Sequence, residues 1–239
     1  MTVGHVPDQA QLPIALCVAT EHEARIVQRA IRSTRVSTHV RSNFNVVLVG
    51  VSCCDMDSNA IIDNHSAIVS TGFAGALQSG LDSGSLLFPE SVKKADNTSY
   101  TVQRELQKKM MSNTANVVAG SVLHTDVLLA TIEQKRVAHV QSGCAACDME
   151  SASLAAAAVQ GNCAFACLRI VLDPANTVIP EPIVGLANSG GEPSAIAFLS
   201  AVCKKPGQLP ATAVFLWHTF KASQSLMRSV KQLVEGYNP

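Results

Sequence analysis

Charge is scarce in this chain: only 15% of its 239 residues are Asp, Glu, Lys or Arg. Aromatic residues are scarcer still at 4%, with a single Trp. Basic and acidic residues balance at 18 each, so no global field draws nucleic acid or an anionic membrane, and no nucleic-acid partner is expected. With 47% hydrophobic residues a disordered chain is excluded. One α/β domain over residues 1–239, with a large buried core, is expected instead. There is no internal repeat and no low-complexity tail. Met1 to Pro13 lacks the basic flank and long apolar core of a signal peptide, and residues 1–12 read as a flexible N-terminus. The longest uncharged run, Ser151 to Leu168, is broken by Gly161-Asn162 and reads as a buried helix–turn–strand rather than a membrane span. A cytoplasmic protein is expected.

Disulfides are not expected in that setting, yet there are eight cysteines. Cys144, Cys147, Cys163 and Cys167 are spaced C-x2-C-x15-C-x3-C, close to a zinc pattern. The segment between them is Ala-rich and apolar, unlike a zinc knuckle. Cys163 and Cys167 fall inside a candidate strand. Free thiols packed as small hydrophobes are the better reading, and no metal is expected. A zinc or redox protein built on Cys144 and Cys147 is the competing one.

The chain is organised around residues 147–176. Asp148, Met149 and Glu150 precede an Ala-rich helix, Ser151 to Gln160, with Asp148 as its N-cap. An apolar strand follows from Cys163 to Leu172, ends at Asp173 and is stopped by Pro174. Arg169 stands four residues before Asp173, so a period of two puts both on one strand face, where Arg169 can pair with a neighbouring carboxylate.

Upstream, residues 13–19 form a buried strand, followed by a helix from about Ala24 to Arg32. Thr20 and Glu23 have capping-box spacing. Asn45 to Ser52 and Ser66 to Thr71 are further strands, with a short helix between them. Thr71-Gly72-Phe73-Ala74-Gly75-Ala76-Leu77 then reads as a glycine loop open to close backbone approach. Residues 89–113, with Lys93, Lys94, Lys108 and Lys109, read as a solvated helix and its approaches. Val117 to His124 is another strand, and no chemistry is assigned to His124. Glu133-Gln134-Lys135-Arg136 reads as a short surface helix. A helix is expected from Pro193 to Lys204 and a longer one over residues 211–235.

Asp-Met-Glu-Ser-Ala, a strand ending Leu-Asp-Pro-Ala, and Thr-Gly-x-Ala-Gly-x-Leu resemble the purine nucleoside phosphorylase and methylthioadenosine/S-adenosylhomocysteine nucleosidase superfamily. The likeness covers most of residues 13–176. It departs at Leu172, where Ser is usual, at Asn176, where Asp is common, and at Phe73, where the hydrolases often have Ser. Pro180 to Leu186, Lys204 to Pro210 and Glu23-Ala24-Arg25 are similar to hopanoid-associated phosphorylase-like proteins within it. The resemblance implies a three-layer α/β/α domain around a twisted mixed sheet.

It also implies cleavage of the N-glycosidic bond of a purine nucleoside, with a 5′-modified adenosine such as adenosylhopane as substrate and adenine as product. Asp173, protonated, would donate to N7 of the departing base. Glu150 would accept from the ribose hydroxyls, and Met149 would pack on the sugar. Gly72, Phe73, Ala74 and Gly75 would cradle ribose or the nucleophile, and Arg169 would support a carboxylate. The family's Glu matches Glu23, with Glu21 as the alternative register; it would activate a water in a hydrolase. Inorganic phosphate is the possible co-substrate, but no multi-arginine set surrounds residues 20–25 or 71–75, which tilts the reading toward hydrolysis. No other cofactor is expected, and a homodimer is. A non-catalytic nucleoside-binding protein on the same fold is the alternative. If the substrate is a hopanoid, the C-terminal helix, with Trp217 near its start and Lys221, Arg228 and Lys231 beyond, suits peripheral membrane contact; the plainer expectation is that it packs on the sheet with Trp217 in the core.

Overall fold

The computed structural model describes residues 12–111, 117–187 and 206–237. The expected helix 193–204 and nearly all of the expected flexible N-terminus lie outside them. The strands are β1 (Ile14–Val18), β2 (Phe44–Leu48), β3 (Ala67–Ala76), β4 (Leu86–Leu87), β5 (Ser91–Lys93), β6 (Ser99–Thr101), β7 (Val117–Val118), β8 (Ser121–His124), β9 (Ala146–Asp148) and β10 (Ala164–Asp173). The helices are α1 (Glu21–Arg32), α2 (Thr38–Ser42), α3 (Ser58–Asn64), α4 (Arg104–Met111), α5 (Ile132–Ser142), α6 (Ser151–Gln160), α7 (Glu181–Ala187) and α8 (Leu209–Gly236).

Among the described residues one mixed sheet of ten strands runs β6-β5-β8-β9-β3-β10-β4-β7, with β1 and β2 joined through β3. The expected three-layer α/β/α domain is present. Helices α1, α4 and α8 pack together on the sheet, and α3 packs with α6 in the other layer. Strands β1, β3 and β10 pair in parallel and are buried almost throughout. Burial on both faces is why they read as continuous apolar runs rather than alternating ones. The alanines of α6 put Ala152, Ala155, Ala157 and Ala158 in the interior beside Leu154.

Several boundaries differ from expectation. The glycine loop is not a loop: β3 continues to Ala76, and Gly72 and Gly75 pair with β10. The second strand ends at Leu48, and a 3₁₀ turn at Val51–Cys53 follows. The strand expected over 117–124 is split at Gly120 into β7, beside β4, and β8, beside β5 and β9. The charged stretch 89–113 holds β5 and β6 as well as α4. Helix α8 spans 209–236, and Trp217 is 60% exposed and stacked on Phe220, so it is not core. No helix among the described residues is long and apolar enough to cross a membrane.

Candidate active site

The site collects at the carboxyl ends of β1, β3 and β10, the position where open α/β sheets leave room for ligands. Glu23 is buried in the first turn of α1. Its Oε2 accepts from the Ala19 and Thr20 N–H groups at 3.1 and 3.0 Å and from the Thr20 hydroxyl at 3.1 Å, while Thr20 Oγ1 accepts from Glu23 N–H. This is the expected capping box. The other oxygen leaves the helix: Oε1 accepts from the Phe73 N–H at 2.8 Å. One side chain therefore caps α1 and reaches β3. Glu21, the alternative register, is exposed and faces Arg25.

Gly72 lies between Glu23 and Arg169. A Cβ there would stand 3.0 Å from Arg169 Nη1 and too close to Glu23 Oε1 for any real side chain, and the backbone has φ +153°. Glycine is required here for space.

Arg169 is fully buried. Its Nε lies 2.7 Å from Asp148 Oδ2, and it donates to Ser70 Oγ at 2.6 Å, Ser151 Oγ at 2.9 Å and the Phe73 carbonyl at 3.4 Å. The expected carboxylate partner is thus Asp148. Asp148 is not the N-cap of α6; Glu150 holds that position without a side-chain cap bond, while Asp148 Oδ1 accepts from Ser151 N–H at 3.1 Å and Oδ2 takes the Ser151 hydroxyl. Burial pulls the Arg169 guanidinium down, but Asp148 and the neighbouring Cys167, Glu150 and Glu23 together push it further above its usual range. His124 is buried beside Asp148, with Nδ1 3.9 Å from Oδ1, and burial pushes its pKa down.

Glu150 is 3.8 Å from Arg169 Nη2, and its Oε1 accepts from the Ser52 N–H at 3.1 Å. Burial pushes its carboxyl up to about 7, against the pull of Arg169 and with added repulsion from Asp148 and Glu23. Ser52 was not singled out by the sequence. It lies in the 3₁₀ turn, where Gly50, Ser52 and Cys53 have φ of 74°, 55° and 58°.

Asp173 ends β10 beside Gly75 and Cys147. Burial pushes its carboxyl up to about 6, and Lys135 pulls the other way. The Lys135 ammonium lies 2.5 Å from Asp173 Oδ2 and donates to the Pro174 and Thr177 carbonyls at 3.0 and 2.8 Å. The surface helix expected at 133–136 is α5, and its Lys135 is 0% exposed. The pairing of Val171 with Ala74 and of Asp173 with Gly75 marks a bulge in β10. That bulge interrupts the two-residue alternation on which a shared face for Arg169 and Asp173 depended.

The structure therefore gathers Glu23, Gly72, Phe73, Glu150 and Arg169 in one hydrogen-bonded and ionic set. Asp173, Gly75 and Lys135 form a second, three ladder pairs or about 10 Å further along the sheet. Ala74 is buried between them in β3, and Met149 is half-buried beside Glu150. Among the described residues, no group of three His, Cys, Asp or Glu is placed to hold a metal ion.

Residues 4–184 match the family model described as the phosphorylase superfamily. No curated protein matches the chain at the level of sequence. Solved structures share its fold. The futalosine hydrolase of Helicobacter pylori strain 26695 superposes with a TM-score of 0.67 at 14% identity, covering 95% of this chain and 99% of its own. The 5′-methylthioadenosine/S-adenosylhomocysteine nucleosidase of Neisseria meningitidis, in complex with methylthio-immucillin-A, gives 0.66 at 16% identity, with 94% and 99% covered. A putative methylthioadenosine nucleosidase from Weissella paramesenteroides gives 0.59 at 18%, with 92% and 97% covered.

Proposed function

We infer that the chain, which belongs to the phosphorylase superfamily, cleaves the N-glycosidic bond of a purine nucleoside. The observation that carries this reading is a pair of buried carboxyls, Glu150 held by Ser52 and Arg169 and Asp173 held by Lys135, with burial pushing both pKa values up. Bond breaking puts positive charge on the sugar and negative charge on the departing purine. A carboxyl held near pH 6 can carry a proton to the base close to neutrality. Asp173 is that acid, and the proton goes to N7. Glu150 accepts the ribose 2′- and 3′-hydroxyls, with Ser52 and Arg169 holding its carboxylate. Met149 packs against the sugar. Residues 72–75 line the floor beneath it.

Glu23 orients the attacking water, and hydrolysis is favoured over phosphorolysis. Phosphate needs several free cationic or N–H donors. Arg25 is exposed and engages Glu21, and the donors of Arg169 engage Asp148, Ser70 and Ser151. The substrate is a 5′-modified adenosine, and adenosylhopane is the candidate on the resemblance of residues 180–186 and 204–210. The enzyme acts in the cytoplasm as a closed homodimer.

Adenine release from adenosine, methylthioadenosine and adenosylhopane, each with and without phosphate, tests this. Release without phosphate supports hydrolysis, and strict dependence on phosphate reverses that choice. Tight nucleoside binding with no release under any condition favours the non-catalytic alternative.

A further inference from the structure

Lys135 sits among Glu133, Gln134 and Arg136, the most polar turn of α5, yet none of its surface is exposed. An ammonium has three hydrogens to donate, and three oxygens surround this one: Asp173 Oδ2, the Pro174 carbonyl and the Thr177 carbonyl. Two of them belong to the turn that follows β10. Burying a charged lysine is strongly unfavourable unless it is paired and hydrogen-bonded; here two carbonyls accept from it and the Asp173 carboxyl pairs with it. Helix formation alone gives no reason to place a lysine at this position.

We propose that Lys135 is a positioning residue for the proton donor: it locks the Asp173 carboxyl to the 174–177 turn and compensates the carboxylate left behind when the proton moves to the base. The proposal rests on the reading of Asp173 given above. In that step the Asp173 O–H bond breaks and its proton goes to a ring nitrogen of the purine. The glycosidic C–N bond breaks, and its electron pair moves onto the base. Water adds to the sugar carbon and gives up a proton to solvent through Glu23. Asp173 is left as a buried anion, 2.5 Å from the Lys135 ammonium. From β9, Cys147 also faces it, with a thiol that burial and Asp173 push up and that is therefore neutral. From β3 it lies beside Gly75, which brings no charge. Among these neighbours Lys135 carries the compensating charge.

The pH profile of kcat/KM for adenine release tests the proposal, using the full chain and its Lys135→Met and Lys135→Arg variants. Asp173 acts while protonated, so activity falls as pH rises through its pKa. Removing the cation raises that pKa. The alkaline limb of Lys135→Met should therefore move up by about one pH unit or more, with kcat lowered about tenfold or more. Lys135→Arg keeps the charge and should restore the parent limb. An unmoved limb in folded Lys135→Met overturns the proposal. If Lys135→Met does not fold, carbon-13 NMR titration of the Asp173 carboxyl in the parent decides: a midpoint below about 7 supports the cation's hold, and one above it overturns it. Asp173→Asn, assayed alongside, separates the two ideas. Full activity in that variant removes Asp173 from the mechanism. An inactive Asp173→Asn beside an unmoved Lys135→Met limb removes only the role of Lys135.

Discussion

Ser52 donates its backbone N–H to the Glu150 carboxylate at 3.1 Å across a sequence separation of 98 residues. The N–H is aimed by a left-handed turn in which two successive non-glycine residues, Ser52 and Cys53, have positive φ. Each such residue costs on the order of 1 kcal/mol. Cys53 Sγ adds a contact to the Glu150 carbonyl at 3.7 Å. The turn thus holds both the side chain and the backbone of Glu150 at the start of α6.

Glu150→Gln keeps the shape of the side chain but removes charge-assisted bonds to a diol, each worth about 1.5–3 kcal/mol. kcat/KM for a ribonucleoside should fall about tenfold or more, and the penalty for the 2′-deoxy substrate should shrink relative to the parent. An unchanged ribo/deoxy ratio would remove Glu150 from sugar recognition.

Stability should depend on pH through the same carboxyls. Burial raises Glu150 from 4.5 to about 7 and Asp173 from 3.8 to about 6. The folded state then binds protons that the unfolded state has released. The stability from these groups is full below about pH 4 and is lost as pH rises through 6 and 7. Each tenfold difference in proton affinity between the folded and unfolded states is worth about 1.4 kcal/mol. The Tm of the unliganded protein should drop between about pH 5 and 7.5, and Glu150→Gln should flatten part of that drop. Identical curves for parent and variant would contradict it.

Gly72→Ala drives a methyl group into the Glu23 carboxylate and toward Arg169. Two effects add: the contact, and a backbone conformation that side chains rarely adopt. A loss of about 1–3 kcal/mol in unfolding free energy is expected, with activity reduced at least about tenfold. Chemical denaturation and initial rates measure the two separately, and a variant with parent values in both would show that the strand relaxes around the methyl group.

The exposed apolar face of α8 carries the membrane proposal, while the homodimer rests on the resemblance alone. Val214, Leu216, Trp217 and Phe220 are each about half exposed or more. If the substrate is a hopanoid, the intact protein should sediment with liposomes, and Trp217→Ala should do so less. Protein that stays in the supernatant with neutral and with anionic lipid ends the membrane role. Light scattering in the same buffers reads the oligomeric state; a fully active monomer would end the homodimer proposal.

Much of this was legible locally. Continuous apolar runs marked β1, β3 and β10, and the Thr20–Glu23 spacing marked the start of α1. Glu150 and Asp173 stand at the ends of patterned segments, but it was the resemblance of their motifs to the superfamily that singled them out. Lys135 was not found. Its neighbours Glu133, Gln134 and Arg136 are all polar, and only packing of α5 against the end of β10 turns one of the four inward. Ser52 and Cys53 gave no turn signal, since the residues at these left-handed positions are not the Gly or Asn that favour them. Gly72 was read as a loop because glycines punctuate chains. In β3 it is there for the room that an absent side chain leaves.

From Gly72 to Gly75, β3 advances three residues; the paired stretch of β10, Arg169 to Asp173, advances four. That surplus residue adds no length along the ladder: Asp173 stands opposite Gly75, three pairs on from Arg169, and the extra residue is taken up as a bulge that bends the strand before it ends. Deleting Leu172 would leave Asp173 opposite Gly75 in a regular ladder, and so would test what the bulge itself does for the approach of that carboxyl to Lys135. The irregular stretch is thus a place where the order of the sheet and the aim of one carboxyl can be varied apart, and unfolding free energy and adenine release measured on a Leu172 deletion would read the two separately.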